Sequence, residues 1–148
     1  AACKAGHAEI VRLLLARGAD PCRRHGLGQT GLIMASLGVE GPGKDHVEVI
    51  RLLLKDGRVP INARDQFAST ALNHACSFDY NERVRVLLVE GAADHTLVNQ
   101  LGHTPMAMAR IMRHEACVRV LQVCDRSMYN LLHALFRYPL DSSWLLMC

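Results

Sequence analysis

The sequence predicts an all-α solenoid of stacked helix-turn-helix units, and three observations support this prediction. The segment GHAEIVRLLLARGAD returns along the chain, most clearly as DHVEVIRLLLKDGRV and DYNERVRVLLVEGAA. A threonine stands upstream of each later copy. Within each copy, apolar residues recur at the spacing of one helix face. One such unit cannot bury its apolar face alone, so we expect neighbouring units to stack.

The first helix of each unit is predicted to begin after a threonine, whose hydroxyl caps free amides. Pro105 is tolerated at the first helical position. Small residues then allow close approach of the neighbouring helix. The threonines are Thr30, Thr70 and Thr104, and the small residues are Ala35, Ala71, Ala75, Ala107 and Ala109.

The spacing between threonine and second helix reveals an insertion. It is 10 residues from Thr70 to Tyr80 but 16 from Thr30 to His46, so the second unit carries six extra residues. The second helices start near Gly6, Asp45, Asp79 and, in the most divergent copy, Arg113. Gly18, Gly57 and Gly91 are predicted to end three of them in the left-handed conformation.

The segment NARDQFASTALNHACSFDYNERVRVLLVEGA (residues 62–92) closely resembles the ankyrin repeat family. The resemblance covers about residues 1–125 and implies helix pairs with short hairpin fingers projecting from one edge. It divides the chain into a partial repeat (1–22), a repeat with an insertion near 37–44 (23–61), and two further repeats (62–94 and 95–125). Residues 126–148 form a tail.

The family's TPLH motif is altered in three copies, to TGLI, TALN and TPMA. The histidine that links neighbouring repeats is therefore absent from these copies. Asn73 can replace one such hydrogen bond, whereas Ile33 and Ala107 cannot. We expect a stack of below-average stability.

Composition favours a globular, intracellular protein. Half of the residues are apolar, 21% are charged, and the formal net charge of +3 is spread along the chain, which argues against a nucleic-acid partner. The six cysteines lack paired short spacings, which indicates reduced thiols. No membrane span or secretion signal is recognisable. We expect a cytoplasmic or nuclear fragment of a longer protein, since Ala1 falls inside a repeat already under way.

Motifs that resemble chemical sites have simpler explanations. GVEGPGKD (residues 38–45) matches part of a phosphate-binding loop, but a helix precedes it and Asp45 would repel phosphate. His114, Cys117 and Cys124 lack the paired spacing of zinc sites. No serine lies in a nucleophile elbow. We therefore predict no cofactor, no metal and no enzymatic activity.

The finger tips are the predicted binding surface. Alignment of the copies places Leu27, Phe67 and Leu101 in one column, preceded by Gly26, Gln66 and Gln100. An exposed apolar row there, with Arg23, Arg24, His25 and Arg64 nearby, is typical of a surface for a partner with apolar groups and acidic charge. In the alternative, each side chain folds back on its own finger.

The first helices are expected to present further side chains on the concave side. These are Lys4, Met34, Leu37, His74, Phe78, Met108 and Met112. Flexible methionines suit both an adaptable binding surface and a filled core, so the sequence leaves both roles open. His74 and Phe78 complete the predicted partner-binding set with Arg24, Leu27, Arg64, Gln66, Phe67, Gln100 and Leu101.

The tail allows two interpretations. In the first, residues 130–135 and a helix containing Trp144 form a capping pair around a turn at Pro139. In the second, SMYNLLHALF (residues 127–136) resembles the start of a SOCS box, which implies docking on elongin subunits. Only Ser127 and Phe136 fit that pattern well. The main functional prediction is a non-catalytic protein-binding module. The alternative is a substrate-recognition adaptor of a cullin-RING ubiquitin ligase.

Overall fold

The computed structural model describes residues 1–39 and 41–136, and its helices form two layers. The helices of these residues are α1 (Ala2–Ala5), α2 (Ala8–Ala16), α3 (Gly31–Leu37), α4 (His46–Asp56), α5 (Ala71–Ser77), α6 (Asn81–Val89), α7 (Pro105–Ile111) and α8 (Glu115–Phe136). Odd-numbered helices pack on one another in succession, and even-numbered helices form the second layer. The predicted all-α class is confirmed.

The threonine caps are confirmed at the starts of α3, α5 and α7. The hydroxyl oxygens of Thr30, Thr70 and Thr104 accept hydrogen bonds from backbone amides three residues on, at 3.4, 3.2 and 3.2 Å. Asn73 completes a capping box by accepting from the Thr70 amide at 3.0 Å. Its side-chain nitrogen also lies 3.5 Å from the Leu97 carbonyl, a long link to the following repeat.

The core lies between the two layers and runs along the stack. Leucines and β-branched residues of the second helices meet alanines and leucines of the first helices; the most buried include Leu32, Ile33, Val49, Ile50, Leu53, Leu72, Val84, Leu87 and Leu121. Burial of each large aliphatic side chain contributes about 1.5–3 kcal/mol. This continuous core holds the connections between the helices in fixed positions.

Histidines tie the second helix of two repeats to the first helix of the preceding repeat. His46 Nε2 donates to the Lys4 carbonyl in α1 at 3.0 Å, and His114 Nδ1 donates to the Cys76 carbonyl in α5 at 2.9 Å. Carbonyls in the last turn of a helix lack intrahelical partners. Each histidine satisfies one of them across a repeat boundary.

An arginine performs this task at the boundary between α3 and α6. Tyr80 occupies the histidine position, and Arg83, three residues on, is fully buried in a column that is otherwise apolar. Its Nη1 donates to the carbonyls of Ala35, Ser36 and Gly38 at 3.1, 3.2 and 2.7 Å. The guanidinium carbon lies 3.8 Å from the centre of the Tyr80 ring. Arg83 thus holds the end of α3 where the insertion begins.

One prediction about helix ends is wrong. Gly18 and Gly57 have positive φ, at 78° and 74°, but at the end of α6 the left-handed residue is Ala92, with φ of 50°, and not Gly91. Gly91 is needed for space, because a Cβ there would lie 2.8 Å from the Leu87 carbonyl oxygen and 2.9 Å from Ile61.

The five cysteines within the described residues carry free thiols. Cys76 and Cys117 are fully buried in α5 and α8. A hydrogen bond with Cys117, followed by burial, raises the pKa of the Cys76 thiol well above its usual range. A thiol in this environment packs as a small apolar group.

Helix α8 continues to Phe136 without a break between residues 125 and 126, where the sequence predicts the start of the tail. The repeat boundaries and the two interpretations of the tail stay predictions. Residues 137–148, which include the predicted turn at Pro139 and Trp144, lie outside the described residues.

Candidate functional site

Three fingers connect the second helix of one repeat to the first helix of the next. They are finger 1 (residues 22–29), finger 2 (62–69) and finger 3 (96–103). Backbone hydrogen bonds close them at equivalent positions, from His25 to the Gln29 carbonyl at 2.9 Å, from Asp65 to Ser69 at 3.0 Å and from Asn99 to His103 at 3.0 Å. Each tip contains a left-handed residue, namely Gly28, Ala68 and Gly102.

Side chains at the base of fingers 2 and 3 brace their tips. One carboxylate oxygen of Asp65 accepts from the amides of Phe67 and Ser69 at 2.9 and 3.0 Å. The Asn99 side chain accepts equivalently from Leu101 and His103 at 2.9 and 3.1 Å. A turn whose amides are held by a side-chain oxygen has little conformational freedom left to lose when a partner binds.

Neighbouring fingers are joined through their backbones. The Gln66 amide donates to the Leu27 carbonyl at 3.0 Å, and the Gln100 amide donates to the Phe67 carbonyl at 2.9 Å. These bonds bring Leu27, Phe67 and Leu101 into a continuous line, here called the finger row. Their exposed fractions are 44%, 38% and 69%.

Arg24 and Arg64 link the fingers from within. Arg24 Nη1 donates to the Gly28 carbonyl at 2.7 Å and to the Arg64 carbonyl at 2.8 Å. Arg64 donates to the Ala68 carbonyl at 2.9 Å and to the Val98 carbonyl of finger 3. Both were predicted as partner-binding residues. Their hydrogen bonds show that each arginine braces its own finger and ties it to the next.

His74 and Phe78 are the other predicted binding residues; His74 lies in the middle of α5, and Phe78 directly follows its last residue. His74 Nε2 lies 2.8 Å from the second carboxylate oxygen of Asp65, so it joins α5 to finger 2. Phe78 lies about 10 Å along the helix axis from Ala71, the end of α5 that finger 2 precedes. Phe78 is 52% exposed and stacks with Tyr80 at 6.0 Å between ring centres. Phe78 is therefore separate from the finger row.

The predicted concave side chains do not form one exposed surface. Met34 is buried, Leu37 and Met108 are half-buried, and Lys4 and Met112 are exposed. The two roles left open for the methionines thus fall to different residues, since Met34 belongs to the core and Met112 faces solvent.

Comparison with known proteins agrees with this architecture. A family model described as ankyrin repeats in three copies matches residues 42–131, more than half of the chain, and an ankyrin repeat model matches residues 1–26. The chain belongs to the ankyrin repeat family. Ankyrin repeats generally mediate protein–protein interactions and are typically non-catalytic.

Two relatives illustrate where such ankyrin stacks occur. The chain is 37% identical over 106 residues, or 70% of its length, to ankyrin repeat and SOCS box protein 16 of Mus musculus. It is 28% identical over 113 residues, or 76% of its length, to transient receptor potential cation channel subfamily A member 1 of Homo sapiens. The chain spans 23% and 10% of these relatives.

The insertion of the second ankyrin repeat is a turn between two helices. The Lys44 amide donates to the Gly41 carbonyl at 3.1 Å. The Asp45 carboxylate accepts from the Glu48 amide at 2.8 Å and so occupies the start of α4, where a phosphate would have to bind. The resemblance of this segment to a phosphate-binding loop has no counterpart in its geometry.

The described residues contain no cluster of three or more side chains suited to a metal ion. None of the described helices combines the length and the apolar character needed to cross a bilayer.

Sequence reasoning missed the residues that hold the fingers and the insertion. Asp65 and Asn99 occupy the same position when the repeats are aligned. The available signal was that both side chains can accept hydrogen bonds from two backbone amides of a turn. Arg83 replaces an apolar residue in the column of Ile10, Val49 and Cys117. A charge in such a column indicates a specific buried partner, which here is the end of the preceding first helix.

Proposed function

We propose that this ankyrin stack is a non-catalytic module that binds a partner protein along the finger row. The observation that carries the proposal is that Leu27, Phe67 and Leu101 are exposed on fingers that main-chain hydrogen bonds hold in line. These bonds run from the Gln66 and Gln100 amides to the carbonyls of Leu27 and Phe67. Apolar side chains on a rigid support lose little entropy on binding. Well-packed aromatic residues at the centre of such a surface contribute the largest share of binding energy.

Phe67, in the middle of the row, provides the test. Its contact to Gln100 uses the backbone carbonyl, so Phe67→Asp removes the apolar group and leaves the hydrogen bond between the fingers intact. We expect Phe67→Asp to weaken partner binding by about 2 kcal/mol or more, as for a central interface residue. Affinity capture from cells that express the tagged protein, quantified by mass spectrometry, measures the loss.

The matched control is Val123→Asp, which changes an exposed apolar residue of α8 in the layer of second helices. Circular dichroism should show unchanged helical content and melting for both variants. Equal capture by the wild type and Phe67→Asp would contradict the proposal. Unfolding of Phe67→Asp would assign Phe67 to the core instead.

A second candidate function is an adaptor that brings a bound protein to a ubiquitin ligase. The similarity to a relative named as an ankyrin repeat and SOCS box protein favours it, together with the resemblance of residues 127–136 to the start of such a box. On this proposal the finger row binds the substrate and the tail docks on elongin subunits and a cullin.

Capture of elongins and a cullin tests the adaptor function. We expect recovery with the whole chain and its loss on deletion of residues 127–148, because the docking segment would be removed. The deletion shortens α8, so circular dichroism and a melting curve must show that the repeats still fold. Elongin recovery that is absent from the whole chain, or unchanged by the deletion, would exclude the adaptor.

A further inference from the structure

The charges of this protein are distributed unequally between its two sides. Along the second helices, acidic and basic side chains pair. Arg51 lies 3.1 Å from Glu90, Arg85 lies 2.6 Å from Glu82, and Arg12 pairs with Glu9. Arg85, through its hydrogen bonds, lowers the pKa of the Glu82 carboxyl, which keeps this pair ionised. The charges of this layer largely cancel one another.

The fingers and first helices have the opposite character. In fingers 1–3 and in α1, α3, α5 and α7, all of which are described, five lysines or arginines are exposed: Lys4, Arg23, Arg24, Arg64 and Arg110. The same segments contain one acidic residue, Asp65, which is buried and bonded to two amides and His74. The fingers and first helices therefore carry a net positive charge. Asp20, just before finger 1, is exposed and lines a pocket with Arg23, so it offsets part of this charge.

Arg23 and Arg24 belong to finger 1, at one end of the finger row, and both are exposed. Arg24 is fixed by its bonds to two carbonyls. Positive charge beside a row of exposed apolar side chains favours a ligand that carries both carboxylates and apolar groups.

We propose that the partner engages this surface through an acidic, extended segment, whose carboxylates lie beside Arg23 and whose apolar side chains lie on the finger row. This inference rests on the proposed protein-binding function and adds the chemistry of the partner. Charge complementarity selects an acidic segment over a basic or neutral one.

The spacing of the fingers specifies the segment further. Neighbouring repeats are about 10 Å apart, as packed helices are. A segment in the extended polyproline II conformation rises about 3.1 Å per residue and has three residues per turn. Every third side chain therefore lies on the same face and meets the next finger. The row of Leu27, Phe67 and Leu101 thus matches apolar residues at every third position, with acidic residues between them.

Synthetic peptides test this directly. The probes are a labelled Leu-Glu-Glu repeat peptide, a Leu-Lys-Lys repeat, a Ser-Glu-Glu repeat and a single-stranded oligonucleotide, titrated with the whole chain by fluorescence anisotropy. We expect the Leu-Glu-Glu peptide to bind most tightly. Its affinity should fall as salt rises, because exposed charges are screened. The Ser-Glu-Glu peptide should bind more weakly, since it lacks groups for the finger row.

Charge reversal locates the contact. We expect Arg23→Glu to lower the affinity for the Leu-Glu-Glu peptide by about fivefold or more, because an electrostatic attraction is replaced by a repulsion of similar size. Arg119→Glu, on the exposed face of α8, makes the same change in net charge and should leave the affinity within about twofold. Arg24 and Arg64 are left intact because they hold the fingers together.

The outcomes separate this inference from the function on which it rests. If the Leu-Lys-Lys peptide bound as tightly as the Leu-Glu-Glu peptide, and Phe67→Asp abolished that binding, the acidic preference would be overturned. The finger row would still be the binding surface. Equal effects of Arg23→Glu and Arg119→Glu would also overturn the acidic preference, as would tighter binding of the oligonucleotide. Capture of cellular partners that is unaffected by Phe67→Asp would overturn the proposed function itself.

Discussion

Arg83→Ala is expected to lower the free energy of unfolding by about 3 kcal/mol, the cost of leaving buried polar groups without their partner and opening a cavity. The carbonyls of Ala35, Ser36 and Gly38 lose a shared donor at the end of α3. The Tyr80 ring loses the guanidinium that covers it. Urea denaturation followed by circular dichroism measures the change.

Arg85→Ala is the matched control for this prediction. Arg85 lies two residues away on α6 but is exposed, and it pairs with Glu82 at the surface. Surface pairs of this kind contribute about 0–1 kcal/mol, so the control should lose less than about 1 kcal/mol. If the two variants were equally stable, Arg83 would not join the repeats at this boundary.

Gly38→Ala is expected to destabilise the protein by about 3 kcal/mol through overpacking and the loss of one hydrogen bond. A Cβ at this position would lie 2.0 Å from His46 Nε2 and 2.5 Å from the Lys4 carbonyl oxygen. These two atoms form the link between α4 and α1. Because Gly38 has a φ of −62°, which alanine adopts freely, the cost is steric and not conformational.

Gly41→Ala, in the same insertion, is the control. Its added Cβ would meet only the Lys44 side chain, at 3.5 Å, which is ordinary contact. Its stability should stay within about 0.5 kcal/mol of the wild type. A double-mutant cycle with His46→Ala sharpens the test, because Gly38→Ala should cost less once the ring is gone. An unchanged cost in the cycle would show that the ring is not the obstacle.

The helices were predictable because their signals are local. Threonine caps, helical spacing of apolar residues and terminal glycines act within a few residues of one another. Gly91 was predicted wrongly for a reason that is also local. The turn after α6 is one residue wider than the turn after α2. The Ala93 amide donates to the Leu87 carbonyl, six residues back, whereas the Ala19 amide donates to the Leu14 carbonyl, five residues back. The left-handed position therefore moved to Ala92.

The finger row was predictable as an alignment column, but the roles of its neighbours were not. Whether an arginine faces solvent or a carbonyl depends on the position of the next finger, which no single repeat encodes. Arg24 and Arg64 reach carbonyls 40 and 34 residues away. His74 likewise reaches Asp65 because helix and finger meet in three dimensions. Arg24 and Arg64 are exposed, as the sequence indicated, and their hydrogen bonds also make them part of the scaffold.

Besides the bonds of Arg24 and Arg64, two hydrogen bonds between neighbouring fingers use main-chain groups alone. The donors are the main-chain amides of Gln66 and Gln100, and the acceptors are the main-chain carbonyls of Leu27 and Phe67. The side chains at these four positions, and at Leu101, can therefore be exchanged without breaking a bond that aligns the row, provided that proline stays out of positions 66 and 100. A lineage could retarget this protein to a new partner by substitutions at the tips alone, while the frame that presents them is inherited unchanged.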